Sequence, residues 1–139
     1  MAKRIETWRC AAYPWNCDSM GHMNTQFYCA AFDGATVHFL NMLAPYAKLA
    51  QSQLGWADVR QLIEYKREIL AGAPLIVRTT PTRLGKKSVE FLHELGDADG
   101  DILHATSAMT TVFFDLSARK SAPIPDWIRA RAQAMLDET

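Results

Sequence analysis

The chain has 139 residues, of which 49% are hydrophobic and 22% are charged. This length is typical of one domain, and the composition excludes an intrinsically disordered protein. Lys and Arg together number 15, and so do Asp and Glu, so the formal net charge is zero. The lack of a basic excess argues against nucleic-acid binding and against attachment to a membrane surface. A net charge near zero offers little repulsion between copies, so self-association is expected.

The cysteine content indicates the cellular compartment. The chain has an odd number of cysteines, namely Cys10, Cys17 and Cys29, and no apolar run of signal-peptide length precedes them. They therefore indicate reduced thiols in a cytoplasmic protein. The least charged stretch, residues 19–47, contains Asp33 and several polar residues, which favours a buried helix over a membrane span. No repeat or linker divides the sequence, so a single domain over residues 1–139 is expected.

The first half of the chain predicts one strand and one long helix. Residues 5–13 alternate loosely and predict a strand that ends at Pro14. A polar loop follows, and Asn24 is the expected N-cap of a helix over 25–43. That helix has two adjacent apolar stripes, one with Phe27, Ala31, Ala35, His38 and Met42, the other with Tyr28, Phe32, Phe39 and Leu43. Such a wide apolar face predicts a helix largely enclosed by the rest of the chain, with His38 as a core histidine.

The second half of the chain predicts mainly strands. After an irregular connection over 44–58, the patterns predict strands over 59–70, 75–80, 87–95 and 102–114, a turn over 97–100, and a final helix from Pro125. Short turns join consecutive strands in antiparallel fashion. The predicted class is therefore α+β, with one curved antiparallel sheet wrapped around a central helix.

The loop before the long helix carries the most informative motif. Asp18, Gly21, His22 and Asn24 form the pattern Asp-x-x-Gly-His-x-Asn directly ahead of the helix. This pattern and the order of elements resemble the hot-dog fold acyl-CoA thioesterases, in particular the 4-hydroxybenzoyl-CoA thioesterase-like family. Further similar stretches lie at 63–72, 84–91 and 123–126, although the family often has Gly-Asp where this chain has Gly72-Ala73. The resemblance implies acyl-CoA hydrolysis by homodimers or homotetramers whose active sites lie at the subunit interface.

The motif residues suit the chemistry of thioester hydrolysis. Asp18 could attack the acyl carbon or deprotonate a water molecule. Unpaired N–H groups at a helix start stabilise a developing oxyanion, and the resemblance places this donor near Thr25. Gly21 allows close approach of the acyl chain to the backbone, and the resemblance implies that His22 and Asn24 orient the water or the carboxylate. No metal or redox cofactor is required, because coenzyme A enters as part of the substrate.

The predicted substrate-binding residues lie on the helix and strands around this loop: Tyr28, Glu64, Tyr65, Lys86, Lys87 and Ser88. The Lys-Lys-Ser run offers two cations and a hydroxyl, and in the family this region approaches the nucleotide part of CoA. The two tyrosines are candidates for the wall of the acyl pocket. The glutamate is a candidate for a site shared between subunits.

Each of these residues also has a purely structural interpretation. Asp18 could cap amides of its own turn, and Asn24 could serve only as an N-cap. The lysines could be solvated, the tyrosines could belong to the core, and Glu64 could pair with a neighbouring cation. A thiol nucleophile, Cys17 with His22, is a further alternative. His93 and His104 lie in different predicted strands without metal-ligand spacing, so no metal site is expected.

Two functional alternatives remain open at the level of sequence. An acyl-carrier-protein thioesterase would use the same chemistry on another carrier. A non-catalytic acyl-CoA binding or sensing protein could use the same fold. The pattern does not specify the acyl group.

Overall fold

One antiparallel sheet packed on one long helix dominates the structure, a computed structural model that describes residues 2–138. The elements in chain order are β1 (Ile5–Ala11), α1 (Thr25–Leu43), α2 (Tyr46–Gln51), β2 (Leu54–Tyr65), β3 (Pro74–Leu84), β4 (Ser88–Asp97), β5 (Leu103–Asp115), β6 (Lys120–Ser121) and α3 (Asp126–Asp137). The sheet order is β1-β3-β4-β5-β2, and β6 pairs with β5. All pairings are antiparallel, so the predicted α+β architecture is confirmed.

The helix α1 begins and ends where the sequence predicts. The side chain of Asn24 accepts a hydrogen bond from the Gln26 N–H, as expected of an N-cap. The helix ends before Pro45, which cannot continue it. No helix in residues 2–138 is both long and apolar enough to cross a bilayer.

The prediction that α1 is largely enclosed is wrong for the single chain. The sheet lies against one side of the helix, and the buried residues are on that side: Tyr28, Ala31, Phe32, Ala35, Thr36, Phe39, Leu40 and Leu43. On the other side Val37 is 61% exposed and Met42 is 43% exposed. His38 is also exposed, so its assignment to the core is wrong. His38 lies on α1 beside the buried stripe, next to Phe39, and not within it.

The core histidine is His93 on β4, which is fully buried. Its Nε2 lies 2.8 Å from the Thr36 hydroxyl, and its Nδ1 lies 2.7 Å from the Thr79 hydroxyl. The Thr79 oxygen in turn lies 2.8 Å from the Thr7 hydroxyl. Burial lowers the pKa of His93 from 6.5 to about 3, so the ring is neutral at physiological pH. This network links α1 to three neighbouring strands through the middle of the core.

Two apolar clusters fill the space on either side of this histidine. One contains Phe39, Phe91 and Phe113, and α3 covers it with Ile128 and Ala132. The other lies toward the start of α1 and includes Tyr28, Phe32, Leu75 and Leu95. The alternation predicted for 87–95 is confirmed, since Val89, Phe91, His93 and Leu95 are all buried.

The predicted boundaries of β2 are wrong at both ends. The strand begins at Leu54, because β5 is long enough to pair with it back to Asp115. It ends at Tyr65, because the Lys66 and Arg67 N–H groups both donate to the His104 carbonyl and leave the ladder. The connection predicted to be irregular over 44–58 instead contains α2 and the first part of β2. Residues 66–69 are therefore a connecting segment and not part of the predicted strand.

Candidate active site

The Asp18 loop is closed by its own hydrogen bonds. The Asp18 N–H donates to the His22 carbonyl at 2.8 Å, and the Gly21 N–H donates to the Asp18 carbonyl at 3.0 Å. The Asp18 Oδ1 accepts from the Met20 N–H at 2.9 Å and from the His22 N–H at 3.2 Å. Gly21 has φ +81°, a conformation that favours glycine. A Cβ there would meet nothing within 4 Å, so the turn itself explains the glycine.

Asp18 thus has the turn-forming role that its sequence context allows. That role occupies only one of its two carboxylate oxygens. Within residues 2–138, Oδ2 has no hydrogen-bond partner, and the side chain is partly exposed. The carboxylate is therefore held in place by backbone amides while one oxygen remains available for chemistry.

The loop leads directly into the start of α1. The Asn24 N–H donates to the Asn16 carbonyl, and the Met23 N–H donates to the Ile69 carbonyl, both at 2.8 Å. The Asn24 side chain is an N-cap and accepts from Gln26 at 3.1 Å. The Thr25 N–H finds no acceptor in the part of the chain that the structure describes. It lies at the positive end of the helix dipole, where a developing oxyanion is stabilised.

A cleft of about 680 Å³ opens beside this helix start, lined by His22, Met23, Thr25, Tyr28, Tyr65, Lys66, Arg67, Glu68 and Leu70. Four of the predicted site residues line it: His22, Thr25, Tyr28 and Tyr65. Asp18, Gly21 and Asn24 belong to the adjoining loop and do not line the cleft. The segment 66–68 was not among the predicted site residues, because the sequence pattern predicts a strand there. Three consecutive charged residues at a strand end are the signal that could have identified it.

His22 forms a pair with Glu68, which was not among the predicted site residues. Its Nε2 lies 3.0 Å from Oε2 of Glu68, at the rim of the cleft. The backbone of His22 also bridges to Leu70. The Asp18 loop and the segment 66–70 are thus joined by both side-chain and backbone contacts.

The two predicted tyrosines form an aromatic wall of the cleft. The rings of Tyr28 and Tyr65 meet edge to face with 5.0 Å between their centroids. Tyr28 is buried, and burial together with the neighbouring Tyr65 raises the pKa of its phenol. Burial also raises the pKa of Tyr65, followed by the nearby Cys29 thiol. Both phenols therefore remain protonated at neutral pH and can act as neutral hydrogen-bonding groups.

Of the remaining predicted residues, Lys86, Lys87 and Ser88 lie away from this cleft in the single chain, whereas Glu64 lies beside it. Ser88 is opposite Val112 on β5, whereas Tyr65 is opposite Ala105 on the same strand. Seven residues of strand separate the two positions by roughly 23 Å. Lys86 and Lys87 are exposed in the turn before Ser88, and Glu64 is paired with Lys66 at 4.0 Å.

The geometry does not favour a cysteine nucleophile. The Cys17 Sγ donates to the Tyr13 carbonyl at 3.5 Å, and the His22 Nε2 is directed at Glu68. Within residues 2–138 no three His, Cys, Asp or Glu side chains are grouped as metal ligands.

Comparisons with known proteins agree with this architecture. A family model described as the thioesterase-like superfamily matches residues 13–132. No curated protein sequence matches the chain significantly. A Staphylococcus aureus protein solved in complex with CoA has a TM-score of 0.88 and 14% identity over 97% of this chain and 85% of its own.

Two further solved structures have similar folds. A predicted thioesterase from Bacillus stearothermophilus has a TM-score of 0.83 and 18% identity, covering 99% of both chains. A 1,4-dihydroxy-2-naphthoyl-CoA thioesterase from Synechocystis has a TM-score of 0.79 and 17% identity over 94% of this chain and 96% of its own. The chain therefore has the hot-dog fold and belongs to the thioesterase-like superfamily.

Proposed function

We propose that this protein hydrolyses an acyl-CoA thioester to the free acid and CoA, with Asp18 as nucleophile or general base. One observation carries the proposal: the Asp18 loop folds onto the start of α1 beside a cleft. Asp18 Oδ2 and the Thr25 N–H are both left without a partner within residues 2–138. An attacking oxygen and an oxyanion donor are the two groups that thioester hydrolysis requires.

The reaction follows from these two groups. In the general-base form, Asp18 takes a proton from water, and the water oxygen bonds to the acyl carbon. The carbonyl oxygen becomes an oxyanion, which the Thr25 N–H stabilises at the positive end of α1. The carbon–sulfur bond then breaks and the CoA sulfur leaves, taking the proton that the water gave up. In the nucleophilic form, Asp18 bonds to the acyl carbon, the carbon–sulfur bond breaks and CoA leaves as a thiolate. Water then hydrolyses the mixed anhydride at the acyl carbon, which frees the acid and restores the Asp18 carboxylate, and the proton released goes to the CoA thiolate.

The other loop residues support this chemistry. His22 lines the cleft, and its pairing with Glu68 holds the ring beside the expected position of the thioester. Asn24 fixes the first turn of α1 and with it the direction of the Thr25 N–H. Tyr28 and Tyr65 form an aromatic wall for the acyl group. The reaction needs no metal or redox cofactor.

A homodimer would complete the site. β2 is an edge strand of 12 residues, on which Val59 is 60% exposed and Leu62 is 46% exposed. Such a strand readily pairs with a second copy. Antiparallel pairing of two β2 strands would set the Leu54 end of one copy beside the Tyr65 end of the other. The turn with Lys86, Lys87 and Ser88 lies toward the Leu54 end and would approach the second copy's cleft, where it could meet the CoA phosphates.

The central test is release of free thiol from a panel of acyl-CoAs. Asp18→Asn should reduce kcat by at least a hundredfold, because the amide is neither a base nor a nucleophile of comparable strength. The Asn side-chain oxygen can still accept from Met20 and His22, so the turn is kept. Asp99→Asn, in an exposed turn between β4 and β5, is the matched control. Full activity in Asp18→Asn would remove Asp18 from the mechanism.

Two other functions are separated by the same panel. Hydrolysis rates measured with the same acyl group on CoA and on acyl-carrier protein show which carrier the protein uses. Charge reversal at Lys86 and Lys87 should lower the rate with acyl-CoA. Tight binding of acyl-CoA without turnover would indicate a binding or sensing protein instead. The three cysteines are free thiols in the structure, in keeping with the cytoplasmic location that we propose.

A further inference from the structure

A buried histidine, His104, contacts both a carboxylate of β4 and the segment 66–68 that lines the cleft. The Nε2 of His104 lies 2.7 Å from Oδ1 of Asp97, and the His104 side chain is only 6% exposed. Its Nδ1 lies 3.2 Å from the carbonyl oxygen of Arg67. A carbonyl oxygen can only accept, so Nδ1 must carry a proton. The ring thus joins the β4–β5 hairpin to the segment that forms one wall of the cleft.

A β-bulge produces this arrangement. Leu95 pairs with Ala105 and Gly96 pairs with Leu103, so His104 has no partner on β4. The extra residue turns the His104 side chain toward the interior, and both His104 and Ala105 are buried. Gly96 permits the bulge, because a Cβ at that position would lie 2.6 Å from the Ile102 carbonyl oxygen. Bulges frequently direct a side chain next to an active site.

The same residue holds the wall through its backbone. The Lys66 N–H and the Arg67 N–H donate to the His104 carbonyl at 2.7 and 3.0 Å. Together with the ring contact to the Arg67 carbonyl, three hydrogen bonds from one residue fix two consecutive residues of the wall. The next residue, Glu68, carries the carboxylate that meets His22 at 3.0 Å. A continuous set of contacts therefore runs from Asp97 through His104 and the wall to His22.

We propose that His104, held by Asp97, is a positioning residue that fixes the wall of residues 66–68 and thereby the orientation of His22. The effect of His104 on turnover rests on the proposed function, whereas its effect on the position of the wall does not. Removing the ring should free the Arg67 carbonyl and let Glu68 move away from His22. Substrate would still enter a cleft lined by the same side chains, so kcat should fall more than KM rises.

The first experiment measures the wall without any substrate. In His104→Leu, native-state hydrogen exchange at the Lys66 and Arg67 amides should be at least tenfold faster than in the wild type. The Val89 amide in β4 should be unchanged. His104→Asn should restore slow exchange, because its Nδ2 can take the position of the histidine Nδ1 and donate to Arg67. Asp97→Ala, which removes the acceptor of the His104 Nε2, provides a second variant should His104→Leu fail to fold, and its exchange should be faster than in the wild type.

The second experiment measures acyl-CoA turnover. His104→Leu and Glu68→Ala should each lower kcat about tenfold with KM changed less than threefold. The double variant should be no slower than the slower single variant, because both changes break the same connection. The proposal would be overturned if the two changes had multiplying effects on kcat in the double variant. It would also be overturned if His104→Leu and Asp97→Ala exchanged the Lys66 and Arg67 amides at the wild-type rate. A wild-type protein without turnover would refute the proposed function, while the exchange result would still decide the role of His104.

Discussion

The buried His93 should make the stability of this protein depend on pH between 7 and 5. In the folded chain its pKa is about 3, against 6.5 for an unperturbed histidine. Lowering the pH below 6.5 protonates the ring in the unfolded chain but not in the folded one. Protonation therefore favours unfolding, and the stability that the neutral ring contributes is lost progressively as the pH falls toward 3.

The size of the effect follows from the two pKa values. A fully developed shift of this size corresponds to roughly 5 kcal/mol, at about 1.4 kcal/mol for each pKa unit. Over the experimentally convenient interval from pH 7 to pH 5, the expected loss from His93 is about 2 kcal/mol. Burial explains why the ring does not take up the extra proton, because the charged ring would lose its hydration in the core. The Thr36 hydroxyl donates to the Phe32 carbonyl, so Nε2 donates to Thr36 and carries the proton of the neutral ring.

Urea unfolding at pH 7, 6 and 5 measures this loss. His93→Gln removes the titrating ring. Between pH 7 and pH 5, the free energy of unfolding of this variant should therefore decrease by about 2 kcal/mol less than that of the wild type. His38→Gln changes an exposed histidine of the same fold and should retain the wild-type pH dependence. In NMR, the His93 ring should keep its proton on Nε2 and should not titrate above pH 5. An identical pH dependence in the wild type and His93→Gln would refute the reasoning.

Two further substitutions test the fold around the site. Asn24→Ala removes the cap of α1 and should cost about 1 kcal/mol in urea unfolding, whereas Asn24→Ser should largely retain stability; equal losses would argue against the cap. Gly96→Ala puts a methyl group against the Ile102 backbone at the bulge and should cost roughly 1–3 kcal/mol. Gly100→Ala in the same hairpin, where a Cβ meets nothing within 4 Å, is the control, and a similar loss in both variants would contradict a steric role for Gly96.

The local features of this protein were predictable because they depend on short stretches of sequence. Asn24 as N-cap and Pro45 beyond the helix end set the limits of α1. The alternation of Val89, Phe91 and Leu95 predicts a half-buried strand, and the structure confirms it. The Asp-x-x-Gly-His-x-Asn string brings Asp18 and His22 to the start of α1 because only a few residues separate them.

The predictions that were wrong concern features that depend on contacts between residues distant in the sequence. The end of β2 is set by His104, which lies 38 positions after Lys66 in the chain. The His104 carbonyl accepts from the Lys66 and Arg67 amides, which would otherwise have continued the ladder. His38 is exposed and His93 is buried because the sheet covers one side of α1 in the single chain, and no helical pattern reports which side. The sequence by itself determined the helix, the loop before it and the presence of the main strands, but not the limits of β2. Only the tertiary structure decided the cleft wall, because that wall is held by side chains and carbonyls from another part of the sheet.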